Sequence, residues 1–141
     1  MSHSIPSPKT TVAEHMTPGP HSIGRDQTLA LAKARMAELQ VRHLPVLDGG
    51  QVVGMLTERD VALIGSFADR SLDRTTVEQA MTGVPYCVDP GDPLAEVVQQ
   101  MALRKIGSAI VARHGRVLGV FTTTDALRLL GSALASSNGA H

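Results

Sequence analysis

Gly54-Met55-Leu56-Thr57-Glu58-Arg59-Asp60 and Gly119-Val120-Phe121-Thr122-Thr123-Thr124-Asp125 are one pattern written twice: glycine, two apolar residues, threonine, two variable residues, aspartate. They mark a longer repeat. Laying Val12–Leu63 over Val77–Arg128 at a constant offset of 65 gives 14 identities in 52 pairs, where chance at this composition gives roughly three or four. Among the identities are Val12/Val77, Met16/Met81, Thr17/Thr82, Pro20/Pro85, Leu29/Leu94 and Met36/Met101. A repeated Thr-x-x-Asp at the end of a repeated strand implies two equivalent sites.

Working outward, Gln51–Leu56 and Arg116–Phe121 read as returning strands of hairpins. Their partners are Val41–Leu47 and Gly107–Ala112, joined through Asp48-Gly49-Gly50 and Arg113-His114-Gly115. Helices follow Thr57 and Thr122, running to about Ile64 and about Leu130. Upstream, Leu29, Ala32, Met36 and Leu39 stand at helical spacing, as do Leu94, Val97, Val98 and Met101. The first of these helices starts near Gln27 or Thr28; the second takes Asp92 as N-cap and Pro93 as its first residue. Short extended pieces, Pro20–Ile23 and Pro85–Val88, precede them. Thr11-Val12-Ala13-Glu14 and Thr76-Val77-Glu78-Gln79 match capping boxes that open short leading helices. Each repeat is thus β-α-β-β-α after a short helix, an α/β (α+β) fold. The expected layout is a mobile N-terminus over 1–10, repeats over 11–65 and 76–131, a linker over 66–75 and a mobile tail over 132–141, unless the tail extends the last helix as far as Leu134.

Composition narrows the function. Two units of this size suit one shared core in 141 residues, and the core is aliphatic, with no Trp, one Tyr and two Phe. Thirteen basic and thirteen acidic residues balance, which gives no basis for a nucleic-acid or membrane partner. Cys87 is the single cysteine, no apolar leader or 18-residue apolar run occurs, and a cytoplasmic setting is expected. His3, His15, His21, His43, His114 and His141 are scattered without metal-ligand spacing, and read as surface or turn residues. Cys87 reads as a small core residue in a strand. No nucleophile–base pair, P-loop or dinucleotide fingerprint appears, so no enzyme is expected.

The order of elements and the Gly-h-h-Thr-x-x-Asp ending (h, apolar), with Val41-Arg42-His43-Leu44-Pro45-Val46-Leu47-Asp48 before it, resemble the CBS domain, the cystathionine-β-synthase-type repeat. The resemblance covers about residues 11–131 and implies a tandem pair, a stand-alone Bateman module packed about a pseudo-two-fold. It further implies a regulatory module that binds adenosine nucleotides in clefts between the repeats and signals to a regulated partner protein. A homodimer is expected, formed through helix faces such as Leu29–Leu39 and Leu94–Leu103. Carried over by residue, the first site would use Thr57 and Asp60 for sugar and phosphate, with Leu44, Pro45 and Met55 near the base. Arg42 and His43 would face phosphates. The second would use Thr122 and Asp125, with Ala109, Ile110 and Val120 near the base; its counterparts of Arg42 and His43 are the uncharged Gly107 and Ser108. A short carboxylate one turn into a helix can accept both hydroxyls of a ribose diol, and free N–H groups at the helix mouth favour an anion. The ligand expected is AMP, ADP or ATP, with NAD and S-adenosylmethionine as chemical alternatives, and no resident cofactor. Thr-x-x-Asp is equally a competent helix cap, and that leaves a ligand-free dimerising scaffold as the alternative.

Overall fold

A computed structural model describes residues 6–139, and side chains through Ser136. The expected mixed α+β architecture is present. A 3-10 turn (Val12–Glu14) leads into β1 (Thr17–Pro18), β2 (Ile23–Gly24), α1 (Leu29–Leu39), β3 (His43–Asp48), β4 (Gln51–Thr57) and α2 (Glu58–Gly65). Then come α3 (Val77–Ala80), β5 (Cys87–Val88), α4 (Leu94–Arg104), β6 (Ser108–Arg113), β7 (Arg116–Thr122) and α5 (Thr123–Gly139).

Both hairpin turns place two successive residues at positive φ: Gly49 and Gly50 at 59° and 82°, His114 and Gly115 at 54° and 75°. That is the twist a two-residue hairpin demands, and glycine meets it at three of the four positions. Helices α1 and α4 both end on a left-handed residue, Gln40 and Lys105, whose N–H groups close back on the last turn. Thr28 caps α1 as expected, its hydroxyl accepting from the Leu31 N–H at 3.1 Å. The start of α4 differs from expectation. Asp92 turns its carboxylate back to the Asp89 N–H, and Pro93 takes the cap position without a side-chain bond.

The chain forms two compact units, and they are not the two sequence repeats. Among the described residues, one comprises 6–19, 86–113 and 118–139; the other 20–85 and 114–117. Each repeat's leading segment is therefore exchanged into the unit built around the other repeat.

In the first unit, Val12 is fully buried in a cluster with Val88, Leu94, Val97, Met101, Ala109, Val111 and Phe121. Burying one such side chain is worth about 2 kcal/mol. The Val12 N–H donates to the Asp92 carbonyl at 2.9 Å, and the Leu94 N–H, an orphan at the start of α4, donates to Thr10 at 2.8 Å. β1 then adds antiparallel to β7, pairing Thr17 with Val120 and Pro18 with Gly119, and the sheet runs β1-β7-β6-β5.

In the second unit, Val77 is buried with Ile23, Leu29, Ala32, Met36, Leu44, Val46, Leu56 and Val61. The same bonds recur 65 residues on: Val77 N–H to Gln27 at 2.8 Å, Leu29 N–H to Thr75 at 2.9 Å. Thr82 bridges Met55 where Thr17 pairs with Val120, beside the sheet β2-β3-β4.

The tail expected to be mobile from residue 132 continues α5 to Gly139. Of the N-terminal stretch expected to be mobile, residues 1–5 lie outside the described residues, and Thr10 is buried. No helix among the described residues is long and apolar enough to cross a membrane.

Candidate functional site

Each Thr-x-x-Asp is a complete capping box. The Thr57 N–H donates to Asp60 Oδ2 at 2.9 Å, and the Asp60 N–H donates to Thr57 Oγ1 at 3.1 Å. In the second copy the Thr122 N–H and hydroxyl donate to Asp125 Oδ2 at 2.9 and 3.1 Å, and the Asp125 N–H returns to Thr122 Oγ1 at 3.2 Å. The amides of Glu58 and Thr123 are also taken, by the carbonyls of Arg42 and Gly107. The free N–H groups expected at these helix mouths are thus largely occupied, because the strand entering each repeat's hairpin passes within bonding distance. An anion has less to bind there than the sequence implied.

The exchange brings a residue the sequence reading passed over. Thr17, on β1, donates its hydroxyl to Asp125 Oδ1 at 2.9 Å. Arg128 stands one turn on, Nη1 at 3.7 Å from the same oxygen, while the Asp125 side chain is only 7% exposed. The signal was present: Thr17 and Thr82 are identical across the offset, yet sequence cannot show that Thr17 meets the second repeat's aspartate. Beside this pair lies an open cavity of about 670 Å³, lined by Thr17, Asp125, His15, Arg128, Ser132 and Ser136 among others. It falls in the size range of small-molecule sites. His15, expected at the surface, puts Nε2 in a buried position with no hydrogen-bond partner among the described residues. Glu14 also lines this cavity. The Thr11 N–H, then the Thr11 hydroxyl, hold its carboxyl below the ordinary value.

The residues expected near the base divide. Met55 and Val120 sit opposite the exchanged threonines, Thr82 and Thr17. Leu44 and Ala109 are sealed in the two cores, and Pro45 and Ile110 are equally buried. Ile110 donates its N–H to Tyr86 at 2.8 Å; Pro45, at the matching position, has no N–H to give. The two copies therefore differ in backbone chemistry where the sequence broke the repeat. Arg42 is 82% exposed, with Nε 4.0 Å from Glu58, a loose surface pair worth little. His43 opens β3 in register with Thr57. Arg104 places its guanidinium over the Tyr86 ring, 4.7 Å from the centroid.

Cys87 is in a strand but exposed, on an edge; partial desolvation raises its pKa, opposite to what an activated thiolate needs. No group of three metal-ligating side chains occurs among the described residues; His3 and His141 lie outside them.

The CBS domain model matches residues 12–64 and 77–132. Hypoxic response protein 1 of Mycobacterium tuberculosis is 28% identical over 122 residues, 86% of this chain and 85% of its own. The chain is also similar to a solved acetoin utilization protein of Vibrio cholerae, with TM-score 0.74, 26% identity, and 92% and 96% of the two chains covered. A third likeness is to the CBS domain pair of protein MJ0100, solved with 5′-methylthioadenosine and S-adenosyl-L-methionine. There the TM-score is 0.76 at 25% identity, covering 88% of this chain and 98% of that one. Two family matches, each ending just past its own Thr-x-x-Asp, place this chain in the CBS domain family as a tandem pair of repeats.

Proposed function

We propose that the chain is a regulatory module whose two Thr-x-x-Asp sites take the ribose of an adenosine-containing ligand. The observation that carries this is the cavity of about 670 Å³ in which the leading segment of the first repeat, Glu14 to Pro18, and the aspartate of the second, Asp125, form one lining. A site made by the leading segment of one repeat and the aspartate of the other lies between the repeats in sequence and within one compact unit in space. A ligand there touches both repeats, so occupancy favours one arrangement of the chain, which a regulated protein reads as a population shift. The adenosine ligands of the MJ0100 pair support the ligand class. AMP, ADP and ATP, and NAD among the alternatives, are preferred over S-adenosylmethionine, which has no phosphate, because Arg42, exposed beside the Thr57 site, can swing to a phosphate. Self-association through the faces of α1 and α4 belongs to the same reading, supported by exposed Leu31 and Leu103.

The completed capping boxes favour one second reading, a ligand-free scaffold in which these residues only start helices. Thermal unfolding separates the two. At a hundredfold excess over Kd a ligand adds about 2.7 kcal/mol of stability, so AMP or ATP is expected to raise Tm by several degrees, in a concentration-dependent way. An unmoved Tm with AMP, ADP, ATP, NAD and S-adenosylmethionine alike would leave the scaffold.

A further inference from the structure

We propose that the two sites are unequal and that Thr17 makes them so. The proposal rests on the adenosine reading above and adds an order of filling: the Asp60 site first, the Asp125 site second.

A ribose diol donates two hydroxyls to one carboxylate, which has roughly four lone-pair positions to offer. Asp125 has three of them taken, two at Oδ2 by Thr122 and one at Oδ1 by Thr17 at 2.9 Å, with Arg128 facing Oδ1 as well. Asp60 accepts only from the Thr57 N–H, at Oδ2, and no donor among the described residues reaches its Oδ1. The difference is not one of backbone placement, because Thr82 bridges Met55 as Thr17 pairs with Val120. Nor is it want of room, since the cavity opens beside Asp125. It lies in side chains: the Thr17 hydroxyl is turned onto its aspartate and the Thr82 hydroxyl is not, and the position of Arg128 is Leu63 in the first copy. At Asp125 the ligand must displace a charge-assisted bond to gain one of the same kind; at Asp60 it gains one outright. Thr17 is a positioning residue that guards the second carboxylate.

Calorimetric titration of the full chain with AMP, and in parallel with S-adenosylmethionine, tests this on the wild type, Asp60→Ala, Thr17→Val, Thr17→Ser and Thr82→Val. Two sites differing at least about tenfold are expected, the equivalent of about 1.4 kcal/mol. D60A should remove the tighter one. T17V should bring the weaker to within about threefold of the tighter, T17S should restore the wild-type gap, and T82V should change neither. Equal sites in the wild type, a tight site that survives D60A, or a weaker site lost in T17V would each overturn the order of filling while leaving the adenosine reading standing. No binding of either probe to the wild type would instead remove that reading, and the proposal with it.

Discussion

Gly119→Ala is expected to cost about 3 kcal/mol, at the upper end of what overpacking a core position does. The reason is the exchange. A Cβ on Gly119 would stand 2.5 Å from the Thr17 carbonyl oxygen, 2.8 Å from Met16 Sδ and 3.2 Å from Pro18 Cα. A methionine tip can move aside. The Thr17 carbonyl cannot, because β1 is held by the Gly19 N–H on Leu118 at 2.9 Å and by buried Val12 upstream. Gly54 meets the second leading segment in the same way, with Met81 Sδ and the Thr82 carbonyl oxygen in its path. Neither glycine has positive φ, so close backbone approach alone requires it. Gly131→Ala is the control: it lies inside α5 with open space at its Cβ, and alanine there should stabilise by about 0.5–1 kcal/mol. Urea unfolding measures all of these. A cost below 1 kcal/mol for both Gly54→Ala and Gly119→Ala would mean the leading segments do not dock as described.

Asp125→Ala and Asp60→Ala, equivalent in sequence, should differ in stability. Removing the buried Asp125 carboxylate leaves the half-buried Thr122 N–H without its partner and frees the exposed Thr17 hydroxyl to water, and about 2 kcal/mol of loss follows from the one donor left unsatisfied and the lost bond to β1. Asp60 is half-buried and accepts one N–H, so its loss should cost about 1 kcal/mol, an ordinary capping effect. Equal costs measured by urea unfolding would contradict the asymmetry of the two carboxylates.

Much of this was legible in the sequence because local rules determine it. Thr57 and Thr122 announce strand-to-helix junctions, the Gly-containing turns fix the hairpins, and the spacing of Leu29, Ala32 and Met36 draws one buried face. The exchange was not legible, and for a definite reason. Val12 and Val77 are the same residue in the same capping box, so each leading segment suits either core, and the pattern is silent on which it enters. Everything that depends on the exchange was hidden with it: Thr17 on Asp125, and the buried Nε2 of His15 where the first unit's cavity forms. The Ser, Gly and Ala content of the tail left open whether it extends the last helix. These residues carry α5 to Gly139, one continuous helix with Leu130 and Leu134 exposed along it. Cys87 shows the limit of residue-type averages: a small apolar residue in a strand, it faces out because successive side chains alternate and Val88 takes the buried face.

On the proposed function, an aspartate of each Thr-x-x-Asp binds the ribose diol of an adenosine ligand. The most direct measurement is calorimetric titration of AMP and 2′,3′-dideoxy-AMP into the wild type and into the Asp60→Ala, Asp125→Ala double variant. Loss of two charge-assisted bonds is expected to weaken the dideoxy ligand about a hundredfold on the wild type, about 2.8 kcal/mol. The double variant should bind both ligands equally weakly. Dideoxy-AMP binding the wild type as tightly as AMP, or AMP keeping its affinity for the double variant, would contradict the account.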